Sequence, residues 1–150
     1  MKTEGAAAQI EAFEDAWHAL TAVYDAYARS RGSTYSELQV LRFIAGMEDC
    51  TQKMICEKTL LPRQTVNSIV GGFVRKGLVQ AQVRDADRRT KALVLTERGR
   101  QYAQGIFPVI GAAELEAMQV LSPEQRKILP EALRVFADAL EHAVAEAAGE

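Results

Sequence analysis

Apolar residues recur with helical spacing along most of the chain and with strand spacing in one short window. Ile10, Phe13, Trp17, Leu20, Tyr24 and Tyr27 fall at intervals of 3, 4, 3, 4 and 3, with Glu11, Glu14, Asp15 and Asp25 off the stripe. So narrow a seam predicts a helix that packs against another helix, in the same chain or in a second copy. Arg29, Ser30, Arg31 and Gly32 end it. Leu38, Leu41 and Ile44 mark the buried side of a second helix from about Thr34 to Ala45, and Gly46 to Cys50 form a connector. Thr51 is placed to cap a short third helix, Gln52 to Lys58, and Thr59 to Leu61 make the turn after it.

Pro62 suits the first position of a fourth helix, where its missing N–H costs nothing. Val66, Ile69, Val70 and Phe73 form the inner face of that helix, with Arg63, Gln64, Asn67 and Ser68 together outside, and it should stop near Lys76 with Gly77 beyond. Gly71 and Gly72 within it are each unfavourable by about 1 kcal/mol relative to alanine. They imply close approach of another backbone, or tolerated weakness.

The period then changes to two. Val79, Ala81 and Val83 alternate with Gln80, Gln82 and Arg84, and Lys91 to Leu95 return, so a hairpin turns through the polar DADRRT. Thr96 can cap a fifth helix that starts near Glu97 and runs through Tyr102, Ile106 and Ile110 to about Leu121, with a kink at Pro108. Ser122, Pro123 and Gln125 make a capping box, followed by Leu129, Leu133, Phe136, Leu140 and Val144 on one face of a last helix that Pro130 must bend or restart. The fold class expected is mainly α with a small β-hairpin wing. One domain results: a winged helix-turn-helix head over 33–99, with dimerisation helices over 1–32 and 100–150.

A length of 150 residues, 48% hydrophobic and 25% charged, suits one well-buried globular unit. No run of about 18 apolar residues occurs and the first residues lack the apolar core of a secretory signal, so the expectation is a cytoplasmic protein with no membrane partner. The net charge of −2 conceals an asymmetry. From Pro62 to Arg100 nine basic residues face three acids, although the whole chain has 18 basic and 20 acidic. A basic reading surface on an acidic body is the result. Cys50 and Cys56 are too few for a zinc site, His18 and His142 make no metal motif, and no nucleophile with its base or phosphate-binding glycine loop is visible. Neither enzyme activity, cofactor nor metal is expected.

A helix able to enter a major groove, followed by a hairpin with a basic tip, points to sequence-specific binding of double-stranded DNA. Arg63, Gln64 and Asn67 carry the donors and acceptors that read guanine and adenine edges, each good pair giving about 1 to 3 kcal/mol of discrimination. Thr65 and Ser68 suit phosphates, as do Arg84, Lys91, Arg98 and Arg100. Arg88 and Arg89 can place a guanidinium in a narrow minor groove.

TYSELQVLRFI, LLPRQTVNSIV, GLV, DADRR and LTERGR, in this order, resemble MarR-type transcriptional regulators over almost the whole chain. The resemblance implies a homodimer, built from the first and last two helices, that binds a near-palindromic operator as a repressor and releases it when a small molecule binds. It implies that Arg89 enters the minor groove with Asp87 positioning it. An aromatic or anionic effector would lodge between the dimer helices and the head, which singles out Trp17, His18, Tyr24, Tyr35 and Phe43. The chain departs from the family pattern at Met54, Ile55 and Cys56, and at Leu60, where a glycine is common. Competing readings are a thiol-based redox sensor using Cys50 or Cys56 and a winged-helix protein-interaction module.

Overall fold

Short polar residues set the helix boundaries of this protein. Thr34, Thr51, Thr96 and Ser122 each accept a hydrogen bond from the backbone N–H three residues on, satisfying a donor that the first helical turn leaves open. In the computed structural model, which describes residues 2–83 and 91–149 and side chains from residue 5 onward, these caps open four of seven helices. The chain divides into two compact units, Met1–Phe107 and Pro108–Glu150.

The first unit contains α1 (Lys2–Ser30), α2 (Tyr35–Gly46), α3 (Gln52–Thr59), α4 (Arg63–Arg75), β1 (Val79–Val83), β2 (Lys91–Leu95) and α5 (Glu97–Gln104). The second holds nearly all of α6 (Phe107–Val120), and α7 (Pro123–Ala148). Leu38, Val40, Leu41 and Ile44 of α2, Ile55 of α3, and Val66, Val70 and Phe73 of α4 form the core of the first unit. Ala28, Leu78, Val79, Leu93, Ala103 and Ile106 complete it. Full burial of an aliphatic or phenyl side chain of this size contributes about 1.5 to 3 kcal/mol, so the three α4 residues anchor that helix firmly.

Glu37 locks the start of α2. Its carboxylate accepts from the Thr34 N–H at 2.8 Å and from the buried Ser33 hydroxyl at 2.9 Å, and it lies 3.9 Å from Lys76 Nζ at the far end of α4. At the other end of the unit, the Tyr27 hydroxyl donates to the Ile106 carbonyl at 2.7 Å, tying α1 to the segment after α5.

β1 and β2 pair antiparallel with Val79 opposite Leu95 and Val83 opposite Lys91. Leu93 N–H also donates to the Cys50 carbonyl at 2.7 Å, so the connector before α3 is sewn to the hairpin. Burial does not follow the predicted alternation in β1: Val79 is buried whereas Ala81 and Val83 are exposed, because Ala92 and Leu93 of β2, opposite Gln82 and Ala81, are the buried residues beyond the base of the hairpin.

Thr96 joins hairpin to helix. Its hydroxyl donates to the Gly77 carbonyl at 2.6 Å and accepts from the Gly99 N–H at 3.0 Å, while its own N–H donates to the Leu78 carbonyl at 3.0 Å. Gly99 lies so close to that strand that an added Cβ would overlap the Leu78 carbonyl oxygen.

The single kinked helix expected after Thr96 is two helices. Gly105 ends α5, its N–H reaching the Gln101 and Tyr102 carbonyls, and α6 begins at Phe107. Pro108 therefore sits in a first turn, where its missing donor is harmless, and no kink is required. Pro62 is the residue before α4 rather than its first member. Pro130 leaves α7 a single continuous helical span and does not restart it. Leu60, which caps the C-terminus of α3, has φ 57° and ψ 15°. For a residue with a side chain that left-handed conformation costs about 1 to 2 kcal/mol.

Gly99→Ala should destabilise the protein by roughly 3 kcal/mol, since backbone on both sides of the overlap has to move. Thr96→Val should cost about 1 to 2 kcal/mol through the lost cap, and Thr96→Ser much less. Urea unfolding of the three variants checks this order, and a wild-type midpoint for Gly99→Ala would contradict the close packing.

Candidate nucleic-acid interface

The sequence of α4 divides the helix into two faces. Val66, Val70 and Phe73 are buried, Ile69 packs against them in part, and Arg63, Gln64, Asn67 and Ser68 are exposed. Residues one, four and five positions apart at 100° per residue place Arg63, Asn67, Gln64 and Ser68 on one continuous outer strip. Thr65, also a candidate, is half-buried at the edge of that strip. The first-turn N–H groups of α4 receive no side-chain cap, because Pro62 has no acceptor to offer there.

The helix has no acid in its first turn and Arg75 in its last. Arg75 is a member of this face that residue patterning did not single out. A Cβ added at Gly71 would lie 3.3 Å from Arg75 Nη1, and one at Gly72 would lie 3.8 Å from Nη2. What approaches the glycine pair is therefore the guanidinium of the same helix folded back by one turn, and not another backbone. An arginine four residues after a glycine on an exposed face was the available signal.

Lys91 is exposed at the start of β2. Arg84, Asp87, Arg88 and Arg89, expected on the wing, lie outside the described residues. Arg100, counted among the phosphate candidates, is engaged locally: its guanidinium is 2.8 Å from Glu97 and donates to the Leu95 carbonyl at 3.0 Å. The hydrogen bond and charge of Arg100 hold the Glu97 carboxyl below its ordinary range.

The five aromatic and histidine candidates for an effector pocket occupy different settings. Tyr24 and Tyr35 stack with centroids 5.1 Å apart, joining α1 to α2. Phe43 packs against the core. Trp17 stacks on Phe13 at 6.2 Å along α1, and both Trp17 and His18 are exposed. A separate shallow, open apolar surface on α7 is formed by Ile128, Glu131, Ala132, Val135, Phe136 and Ala139, none of which belongs to that set.

Cys50 is fully buried, and burial pushes its thiol pKa upward, away from the thiolate that redox chemistry needs. Cys56 is half-buried on α3. Among the described residues no cluster of three His, Cys, Asp or Glu could hold a metal ion, and no helix is long and apolar enough to cross a membrane.

Residues 31–90 match the MarR family model. Among solved structures the chain is similar to NMB1585, a MarR family regulator from Neisseria meningitidis, at 26% identity and a TM-score of 0.80, over 92% of this chain and 97% of that one. It has the fold of S. aureus MepR in complex with DNA, at 20% identity and a TM-score of 0.72, over 85% and 93% of the two chains. Bordetella bronchiseptica BpsR, whose DNA binding is regulated by 6-hydroxynicotinic acid, is similar at 20% identity and a TM-score of 0.71, over 85% and 91%. No curated protein matches the sequence.

Two outcomes follow from this geometry. Gly72→Ala meets only ordinary van der Waals contact and removes a helix-interior glycine, so it should stabilise the protein by about 0.5 to 1 kcal/mol, read as a raised melting temperature. Brief alkylation of the native protein near neutral pH should modify Cys56 before Cys50. Intact and peptide mass measurement gives the order, and equal labelling of the two would contradict the burial of Cys50.

Proposed function

We propose that the chain is a MarR-type transcription regulator, a homodimeric repressor that occupies a near-palindromic operator and responds to a small molecule; the match of residues 31–90 to the MarR family model and the likeness to NMB1585 support this reading. The observation that carries this reading is the outer strip of α4. Arg63, Gln64 and Asn67 stand exposed on a helix whose opposite face is fixed by Val66, Val70 and Phe73, so the donors and acceptors that distinguish bases sit on a rigid support. Ser68 and the uncapped first turn of α4 suit phosphate. Arg84, Arg88 and Arg89, with Asp87, supply the wing contacts in this reading.

The flanking helices support a dimer. Ile10, Trp17, Leu20 and Val23 of α1 are about half exposed or more, and α7 has no buried residue while Ile128, Leu129, Phe136, Leu140 and Val144 face outward. Apolar faces of that extent are covered in a folded regulator by a second copy. Two heads related by a two-fold axis then meet the two halves of a palindrome.

For the effector, the aromatic acid that regulates BpsR supports an aromatic or anionic ligand here. Tyr24 and Tyr35, already stacked, with Phe43, Trp17 and His18, are the residues assigned to it.

Selection of bound sequences from random DNA by the purified protein, at a stated salt concentration, tests the central claim. A two-fold symmetric motif is expected; enrichment no better than for non-specific DNA would remove the reading. Arg63→Ala should then weaken the selected operator by about 5- to 100-fold. Leu133→Asp or Leu140→Asp should abolish the dimer and operator binding together, which sedimentation and a binding titration measure side by side.

A further inference from the structure

Leu60 is an exposed leucine at a place where the backbone favours glycine. It lies between α3 and α4, its φ of 57° belongs to the left-handed region, and the residue is 87% exposed. Its N–H closes α3 by donating to the Cys56 carbonyl at 2.9 Å, a bond that glycine would make equally well. The adjacent Leu61 packs against the core, so packing of the turn is provided by Leu61 and not by Leu60. Folding thus gains nothing visible from this side chain and bears a strained backbone and an apolar surface for it.

Position supplies a use. Leu60 is two residues ahead of Pro62, at the end of α4 that exposes Arg63 and Gln64. A branched aliphatic group beside base-reading polar groups can meet the one apolar feature that the major groove displays, the thymine 5-methyl. We propose that Leu60 is a specificity-determining residue, making an apolar contact with a thymine methyl at the edge of the base pairs read by α4. The inference rests on the operator-binding reading above and adds a base preference to it.

The test uses the full-length protein and the operator recovered by selection, in two forms: with its thymines, and with thymines in each half-site replaced singly by deoxyuridine, which lacks only the methyl. Binding is titrated by fluorescence anisotropy. For the wild type, one such replacement per half-site should weaken binding about fourfold or more, the change expected for one buried methyl group. Leu60→Gly should melt at a higher temperature, bind the thymine operator more weakly and lose the penalty for deoxyuridine; Leu60→Ala should lose the penalty as well, without the relief of strain. Variants that keep the full deoxyuridine penalty, a wild type with none, or a selected half-site without thymine would each overturn the contact while leaving the regulator reading intact. Failure of the wild type to select any sequence would overturn that reading itself.

Discussion

The Thr96 hydroxyl is the joint on which the head depends. By donating to Gly77 and accepting from Gly99 it fastens the entry of the hairpin to the first turn of α5, and the absence of a Cβ at Gly99 lets the two backbones come close enough for it. The GLV and LTERGR motifs are thus two halves of one contact, separated by the whole wing. Everything carried on β1 and β2 takes its direction from this point. Leu93, bonded back to Cys50, extends the same fastening to the connector before α3.

From that joint the support passes inward to α4. Val79 at the base of the hairpin and Leu93 in the middle of β2 share a core with Phe73 and Val70, and Glu37 steadies the far end of α4 through Lys76. The Lys76 to Glu37 approach is long and exposed on the lysine side, and contributes direction more than stability. The outer strip of α4 is free to present polar groups because none of them is needed for packing.

Local chemistry was readable in the sequence wherever it was self-contained. Thr51, Thr96 and Ser122 cap the helices they were expected to cap, since a side chain bonding a backbone three residues on requires nothing distant, whereas Thr34, read as the first residue of α2, is its cap. The break at Gly105 was hidden because Tyr102, Ile106 and Ile110 keep helical spacing across it. The alternation in β1 misled because β2, through Ala92 and Leu93, carries the packing of the hairpin, and β1 beyond Val79 is left exposed. On the candidate interface, the amphipathic division of α4 was legible, whereas the fold-back of Arg75 over Gly71 was only hinted at by their four-residue spacing, since the rotamer that brings the guanidinium there is not set by spacing. Among the aromatic residues, the Tyr24 to Tyr35 stack is a tertiary contact between helices that periodicity could propose only as a shared location.

The Tyr27 to Ile106 hydrogen bond joins residues 79 positions apart in the chain. With Ala28 ahead of the head segment in sequence and Ala103 and Ile106 after it, all in its core, the winged head is closed by residues that lie outside the segment carrying its motifs. Cutting the chain at 33 and 99 would remove part of the hydrophobic core together with that bond. The reading head is consequently not a transferable cassette: its folding waits for sequence on both sides, and in synthesis from the N-terminus it can close only after α5 has been made.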